Sequence, residues 1–211
     1  MANIFIFGDS ITYGCWDEKG GWATRLKHFI DSQIVASNFT KDHFVYPLGI
    51  PGDTTYTLLR RFKQETDARI VPTEQTIFLF AIGVNDSIFN NKTNSHVIPL
   101  WKFKDNLHEL CKAAARYTDK IFFIGFTPVD ESRVDPMSWL PESSYKNVYI
   151  QAYNDAIGEV CQEEKVSFIE IFHHWMHQEY QALLQDGIHP NSQGHEKLFE
   201  TALTTLKTIL E

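Results

Sequence analysis

The chain has 211 residues, of which 43% are hydrophobic, and a formal net charge of −8. This composition is that of a globular protein, and it excludes a collagen-like or disordered chain. We expect one domain over residues 1–211. The acidic excess offers no positively charged surface for nucleic acid or for an anionic membrane, so neither is an expected partner.

Three widely spaced cysteines, Cys15, Cys111 and Cys161, form no CxxC pair. This odd number predicts reduced thiols rather than a disulfide framework or a structural zinc site. The first residues lack a basic segment and reach an acidic residue after a short apolar run, which is not the pattern of a signal peptide or of a membrane-inserted helix. We therefore expect a cytoplasmic protein with no membrane insertion.

Five short apolar runs alternate with helical patterns along the chain. Runs without polar alternation are typical of strands buried on both faces of a parallel sheet, and stripes with three- and four-residue steps are typical of amphipathic helices. The runs lie at residues 4–7, 43–46, 76–82, 121–126 and 166–171, and the stripes at residues 22–30, 56–62, 103–117, 149–161 and 198–209. The predicted fold class is α/β, a three-layer α/β/α sandwich.

Two stretches, residues 87–100 and 127–146, follow predicted strands but show neither pattern. Open α/β sheets bind ligands at the carboxyl ends of their strands. We interpret both stretches as loops that shape a substrate site, with plain connectors as the alternative. Trp101 and Trp139 lie in or beside them and are candidate substrate-binding residues, with ordinary packing as an equal alternative.

A candidate nucleophile and a candidate base lie near opposite ends of the chain. The segment Gly8-Asp9-Ser10-Ile11 follows the first strand, and a glycine there allows the sharp turn that leaves the Ser10 hydroxyl at the sheet edge. A serine hydroxyl needs a base, and Asp186-Gly187-Ile188-His189 supplies an imidazole with a carboxylate three residues earlier. For each motif alone, helix capping by Ser10 or a solvated Asp–His pair is the alternative.

Two further motifs supply candidate donors for a developing oxyanion. Gly52 lies in residues 49–54 after the second strand, and Asn85 lies in residues 83–87 after the third. Acyl transfer places negative charge on the carbonyl oxygen, which a backbone N–H or an Asn amide can meet. Ordinary turn residues are the alternative for each motif taken singly.

Together, these motifs follow strands one, two, three and the last, so they are expected to meet at one edge of one sheet. In this order they resemble the sequence blocks of the GDSL, or SGNH, hydrolase family over the whole chain. The matching residues are Gly8-Asp9-Ser10 with Thr12 and Gly14, then Gly52, then Gly83-x-Asn85-Asp86, and finally Asp186-x-x-His189-Pro190.

The resemblance implies a flavodoxin-like, five-stranded parallel sheet in the order 2-1-3-4-5. It implies a Ser10–His189–Asp186 catalytic triad, with the N–H groups of Ser10 and Gly52 and the amide of Asn85 as the oxyanion hole. The implied activity is a serine hydrolase that cleaves small or short-acyl carboxylic esters through an acyl-enzyme. Within the family, the chain resembles the small bacterial esterases and the lysophospholipase- or thioesterase-like members.

One departure and two alternatives accompany this resemblance. Many members carry Asn or Asp a few residues before the second-block glycine, where this chain has Tyr46-Pro47-Leu48, so the support of the nucleophile loop is not predicted. Asp9 is a further candidate for substrate contact, but it could also order its own turn. A metal-dependent phosphoesterase using Asp9 and Asp86, or a non-catalytic flavodoxin-like binding module, are the alternative functions.

The remaining motif searches bear on cofactors and partners. The chain has no GxSxG nucleophile elbow and neither of the common nucleotide-binding fingerprints, GxGxxG and GxxxxGK[ST]. We therefore expect no metal and no cofactor. The expected partner is a small-molecule ester, and the sequence does not specify an oligomeric state.

Overall fold

A computed structural model describes residues 1–40 and 43–210, with side chains as far as residue 207. Within these residues the strands are β1 (Ala2–Gly8), β2 (His43–Gly49), β3 (Gln75–Ala81), β4 (Phe89–Asn90), β5 (Ser95–His96), β6 (Ile121–Ile124), β7 (Ser143–Ser144) and β8 (Ser167–Ile169). The main sheet is parallel and has the order β2-β1-β3-β6-β8. Counted over its five strands, this is the predicted order 2-1-3-4-5, so the predicted fold is confirmed.

Helices cover both faces of this sheet. In the described residues they are α1 (Ser10–Tyr13), α2 (Gly21–Ala36), α3 (Thr55–Asp67), α4 (Leu100–Ala114), α5 (Glu131–Val134), α6 (Asn147–Glu164), α7 (Phe172–Met176) and α8 (Ser192–Leu210), with a 3₁₀ turn at Tyr180–Leu183. Helices α3, α4 and α6 pack on one face, and α2 and α8 pack on the other. The result is three layers.

Alternate residues of the central strands point into different cores because successive side chains of a strand face opposite sides. In β1, Phe5 and Phe7 enter a core rich in phenylalanine under α3, whereas Ile4 and Ile6 enter an aliphatic core under α2. All four side chains are fully buried. Burial on both faces explains why this strand reads as a continuous apolar run.

The two stretches without a sequence pattern contain some regular structure. Strands β4, β5 and β7 form a small antiparallel sheet in the order β5-β4-β7, which joins residues 87–100 to residues 127–146. Each of these strands has only two residues, which is too short to show an alternating pattern. The stretches therefore support each other rather than serving as separate connectors.

The predicted stripe of α3, Tyr56, Leu59 and Phe62, faces the core in part. Phe62 is buried and Leu59 packs partly buried against the same core, whereas Tyr56 is exposed and Leu58, outside the stripe, is buried. No helix in the described part of the chain is both long and apolar enough to span a bilayer.

Candidate active site

Ser10 lies at the junction between strand β1 and the short helix α1. The strand ends at Gly8, Asp9 caps α1, and Ser10 is the first residue of that helix. The Asp9 Oδ1 atom accepts a hydrogen bond from the Ile11 N–H at 3.0 Å. Helix α1 ends at Gly14, whose φ of 88° is the left-handed conformation that glycine adopts without strain. This turn holds the Ser10 hydroxyl at the carboxyl edge of the sheet.

The structure brings Ser10, His189 and Asp186 into one hydrogen-bonded chain. The Ser10 Oγ lies 2.9 Å from His189 Nε2, although the residues are 179 positions apart. The other ring nitrogen, Nδ1, lies 2.7 Å from Asp186 Oδ2. A proton on Nδ1 is donated to Asp186, which leaves Nε2 free to accept the proton of the Ser10 hydroxyl.

Asp186 is held as a carboxylate by its immediate neighbours. Its Oδ1 accepts the backbone N–H groups of Ile188 at 3.0 Å and His189 at 2.8 Å. Partial burial works to raise the pKa of Asp186, but the hydrogen bonds from His189 and Ile188 outweigh it and hold that pKa well below its ordinary value. The residue is therefore ionised at neutral pH and can stabilise a protonated His189.

Three N–H donors border the space beside Ser10. The Ser10 N–H is at the first position of α1, where a helix offers no internal acceptor. Gly52 has a φ of 81°, and its N–H makes no hydrogen bond within the described residues. The open space on its α-carbon side leaves this peptide accessible. The third donor is the Asn85 amide, which borders the same cavity as Ser10 and Gly52.

The Asn85 side chain is oriented by two partners that the sequence motifs did not identify. Its Nδ2 donates one hydrogen to the Asp53 carbonyl oxygen at 2.8 Å, and its Oδ1 accepts from the Tyr145 hydroxyl at 2.8 Å. An amide nitrogen carries two hydrogens, so one remains for a ligand. Tyr145 comes from the stretch 127–146, which thus contributes directly to the site.

Arg61 on α3 supplies the support for the nucleophile loop that the second block leaves unexplained. Its Nη2 donates to the carbonyl oxygens of Gly8 at 3.2 Å and Leu48 at 2.9 Å. Its Nε donates to Asp53 Oδ2 at 2.7 Å. One guanidinium therefore ties the ends of β1 and β2 to the segment that carries Gly52. The motif search missed it because Arg61 lies inside a helix, away from the strand ends.

A cavity of about 710 Å³ opens beside Ser10 and His189. Its walls are largely apolar and aromatic, which suits an uncharged organic ligand. Apart from the residues that face the reacting atoms, the lining includes Tyr13, Cys15, Trp16, Pro51, Trp139, Tyr145 and Ile188. Trp139, one of the two predicted substrate-binding tryptophans, is therefore part of the cavity wall. Trp101 does not line this cavity; it lies on α4 and is 68% exposed.

Comparison with known proteins decides the family. Residues 6–197 match the GDSL-like Lipase/Acylhydrolase family. The chain belongs to this family. It is accordingly a carboxylic ester hydrolase of the serine hydrolase type, as the order of its sequence blocks predicted.

Individual relatives of this GDSL hydrolase are distant but match along most of its length. It is 24% identical to the isoamyl acetate-hydrolyzing esterase of Saccharomyces cerevisiae, over 97% of this chain and 86% of the yeast protein. It is 27% identical to the GDSL esterase/lipase CPRD49 of Arabidopsis thaliana, over 97% and 78% of the two chains. The fold resembles that of a lipase/acylhydrolase from Enterococcus faecalis, with a TM-score of 0.75 at 24% identity, covering 100% of this chain and 98% of that one.

In this GDSL hydrolase, the Asp9 and Asp86 carboxylates accept hydrogen bonds from neighbouring protein groups. Asp9 is buried, and its carboxylate caps α1 without lining the cavity beside Ser10. Asp86 is fully buried and accepts from the Thr55 N–H and the Thr55 hydroxyl. Burial raises the pKa of each carboxyl to about 7. These contacts give both residues a role in ordering turns, and the predicted substrate contact of Asp9 stays a prediction.

Cys15 is a second candidate nucleophile in the cavity of the GDSL hydrolase. Burial raises the pKa of its thiol, and the Asp9 and Asp186 carboxyls raise it further. Because the thiolate is the reactive form, this thiol is poorly activated at neutral pH. Only Ser10 has a hydrogen-bonded base among the described nucleophilic residues of the cavity lining.

Proposed function

We propose that Ser10, His189 and Asp186 form the catalytic triad of this esterase and that the reaction passes through an acyl-enzyme. The observation that carries the proposal is the continuous hydrogen-bonded chain from Ser10 Oγ through His189 to Asp186. Ser10 Oγ attacks the acyl carbon while His189 Nε2 accepts the hydroxyl proton. Asp186 holds the Nδ1–H and stabilises the imidazolium that forms.

The attack leaves a negative charge on the former carbonyl oxygen. Three groups are proposed to donate hydrogen bonds to this oxyanion: the N–H groups of Ser10 and Gly52 and the free hydrogen of the Asn85 amide. These donors are fixed before substrate arrives, so little reorganisation is needed in the transition state. As the tetrahedral intermediate collapses, His189 gives its proton to the departing alcohol, and the acyl group stays on Ser10. A water molecule that gives its proton to His189 then attacks the acyl-enzyme and releases the acid and the Ser10 hydroxyl.

We further propose that the substrates are small or short-acyl, uncharged esters. Two features support this: the cavity volume of about 710 Å³ and its aromatic lining, which includes Tyr13, Trp16, Trp139 and Tyr145. The yeast relative is named for an acetate ester of a short branched alcohol. Chromogenic esters from acetyl to lauroyl, compared with an acyl thioester and an acetylated sugar, test the assignment. A preference for lauroyl, thioester or sugar substrates over short-chain esters would contradict it.

Replacing the nucleophile tests the triad. Ser10→Ala is expected to lower kcat about 10⁶-fold because the acyl-enzyme cannot form. Ser32→Ala, which removes an exposed hydroxyl from α2, serves as the control and should retain full activity. An organophosphonate should label the wild type and not Ser10→Ala. If Ser10→Ala kept more than about a tenth of the activity, the triad assignment would be wrong.

The predicted cytoplasmic compartment stays a prediction that cell fractionation would test.

A further inference from the structure

Trp16 contacts the Asp186–His189 pair from outside the segment that carries it. Its indole Nε1–H donates to Asp186 Oδ2 at 2.8 Å, and the same nitrogen lies 3.1 Å from His189 Nδ1. The indole and imidazole rings meet edge-on, with centroids 5.9 Å apart. The other donors to Asp186 all come from Ile188 and His189. Trp16 is therefore the one described donor that reaches this carboxylate from a different part of the chain.

Neither burial nor backbone preference explains where Trp16 lies. The residue is 64% exposed, so little of its apolar surface is removed from water. Its φ of 67° falls in the left-handed region, which is unfavourable for a bulky residue. Strained residues of this kind persist where the surrounding structure holds them, and they cluster at functional sites. The hydrogen bond to Asp186 is the contact that this strained position makes possible.

The two ends of the loop that carries Trp16 are held together. A Cβ atom on Gly14 would lie 2.3 Å from the carbonyl carbon of Gly20, so the two ends of the loop are in direct contact. The buried Asp17 carboxylate accepts from the Gly21 N–H and pairs with Arg25 at 2.8 Å. The indole is thus presented from a closed, anchored loop rather than from a free one.

We infer that Trp16 is a positioning residue. Its indole N–H fixes the Asp186 carboxylate, and together with His189 it hydrogen-bonds the negatively charged Oδ2 atom of that carboxylate. The inference rests on the proposed function, in which Asp186 orients the base. With both Oδ2 donors present, the carboxylate cannot rotate away from the imidazole without breaking a second hydrogen bond. The segment Gly14–Gly20, next to the nucleophile, is in this way tied to the segment that supplies the acid and base.

The variant Trp16→Phe removes the N–H and keeps an aromatic ring. We expect kcat to fall about 10-fold with KM changed less than about twofold, because orientation is lost while the cavity wall remains. The matched control is Trp101→Phe, the same change at an exposed tryptophan that does not line the cavity, and its kcat and KM should equal those of the wild type. In an Asp186→Asn background, Trp16→Phe should change kcat less than about twofold, since the partner carboxylate is gone.

A second measurement needs no substrate. The His189 Nδ1 proton, hydrogen-bonded to a carboxylate, gives a strongly deshielded signal in the proton NMR spectrum, identified by its loss in His189→Gln. In Trp16→Phe this signal should move upfield, because a carboxylate that the indole N–H no longer fixes holds the imidazole proton in a poorer geometry. An unchanged or downfield signal overturns the inference whatever happens to kcat. Failure of the proposed function would instead appear as an active Ser10→Ala variant, so the two failures are distinguishable.

Discussion

The amide of Asn85 is held at both ends. Asp53 accepts from its nitrogen and Tyr145 donates to its oxygen, so the remaining N–H has one direction left. A donor that is oriented before the reaction contributes more to the transition state than one that must be ordered during it. The contribution of Tyr145 to catalysis is therefore expected to pass through Asn85.

Asn85→Ala should lower kcat about 10²- to 10³-fold, as expected when one oxyanion donor is removed. Tyr145→Phe keeps the ring and removes the hydroxyl, so it should lower kcat by a smaller factor of about 10. Steady-state kinetics on a short-chain ester measure both. If the two effects multiplied fully in the double variant, Tyr145 would not act through Asn85.

Motifs at strand ends could be found from the sequence, whereas their supports could not. Ser10, Gly52 and Asn85 each lie a few residues after a strand, and parallel strands place such segments at one edge, whereas the Asp186–His189 segment lies beyond the α7 helix and the 3₁₀ turn that follow β8. Trp16 reaches the site from a loop, Tyr145 from the end of strand β7 in the small antiparallel sheet, and Arg61 from the interior of a helix. Their positions depend on tertiary contacts between residues far apart in the chain, and no local spacing encodes these contacts. Trp101 shows the converse, since an aromatic residue beside an irregular stretch need not face the site.

A single side chain of α3, Arg61, forms what we call the clamp: its hydrogen bonds to Gly8, Leu48 and Asp53. Arg61 reaches the ends of β1 and β2 and pairs with Asp53, and both side chains of this pair are largely buried. Removal of one partner of a buried ion pair leaves the other charge without compensation. The clamp therefore contributes to stability as well as to the shape of the oxyanion region.

Arg61→Met should lower the free energy of unfolding by about 3 kcal/mol, measured by urea denaturation, because Asp53 is left unpaired. Arg60→Met, the same change at the exposed neighbour, should alter it by less than about 0.5 kcal/mol. Arg61→Lys keeps a charge but not the fork of donors, so activity should fall even where folding survives. Equal stabilities for Arg61→Met and Arg60→Met would contradict the clamp.

At the scale of elements, long buried strands were predicted well and marginal ones were not. The runs that mark β1 and β3 are apolar throughout because both faces are covered. Strand β8 is shorter than its apolar run, and the two-residue strands β4, β5 and β7 have no run at all. The stripe of α3 included the exposed Tyr56 and missed the buried Leu58, because steps of three from Tyr56 and a step of four from Leu58 both lead to the buried Phe62.

Across the whole molecule, His195 joins the two helices that cover one face of the sheet. It lies in α8, is 0% exposed, and its Nδ1 accepts the Trp22 N–H of α2 at 3.3 Å. Burial lowers the pKa of His195 to about 4, although Asp17 nearby works in the opposite direction. The imidazole is therefore neutral in the folded protein under conditions where it would be protonated in the unfolded chain.

This difference predicts a dependence of stability on pH. Between about pH 6.5 and pH 4 the unfolded chain binds a proton at His195 that the folded chain does not, so acid favours unfolding. The free energy of unfolding of the wild type, relative to His195→Gln, should fall by up to about 3 kcal/mol as pH decreases through this window. Urea denaturation of both proteins near neutral pH and in mild acid measures it.

The control is His174→Gln, the same substitution at an exposed histidine of α7. It should follow the pH dependence of the wild type across the same window. If His195→Gln and the wild type lost stability in parallel on acidification, the neutral buried imidazole would be refuted.

The order of the main sheet also determines how it meets other molecules. Its outer strands are β2 and β8. Strand β2 contains Pro47, which has no N–H to offer to an added strand, and β8 has only three residues. An unpaired strand edge is the usual template for aggregation, and short or proline-containing edges are poor templates. Neither edge strand of this hydrolase is therefore a good partner for a strand of another molecule, which disfavours aggregation through β-sheet pairing at high concentration.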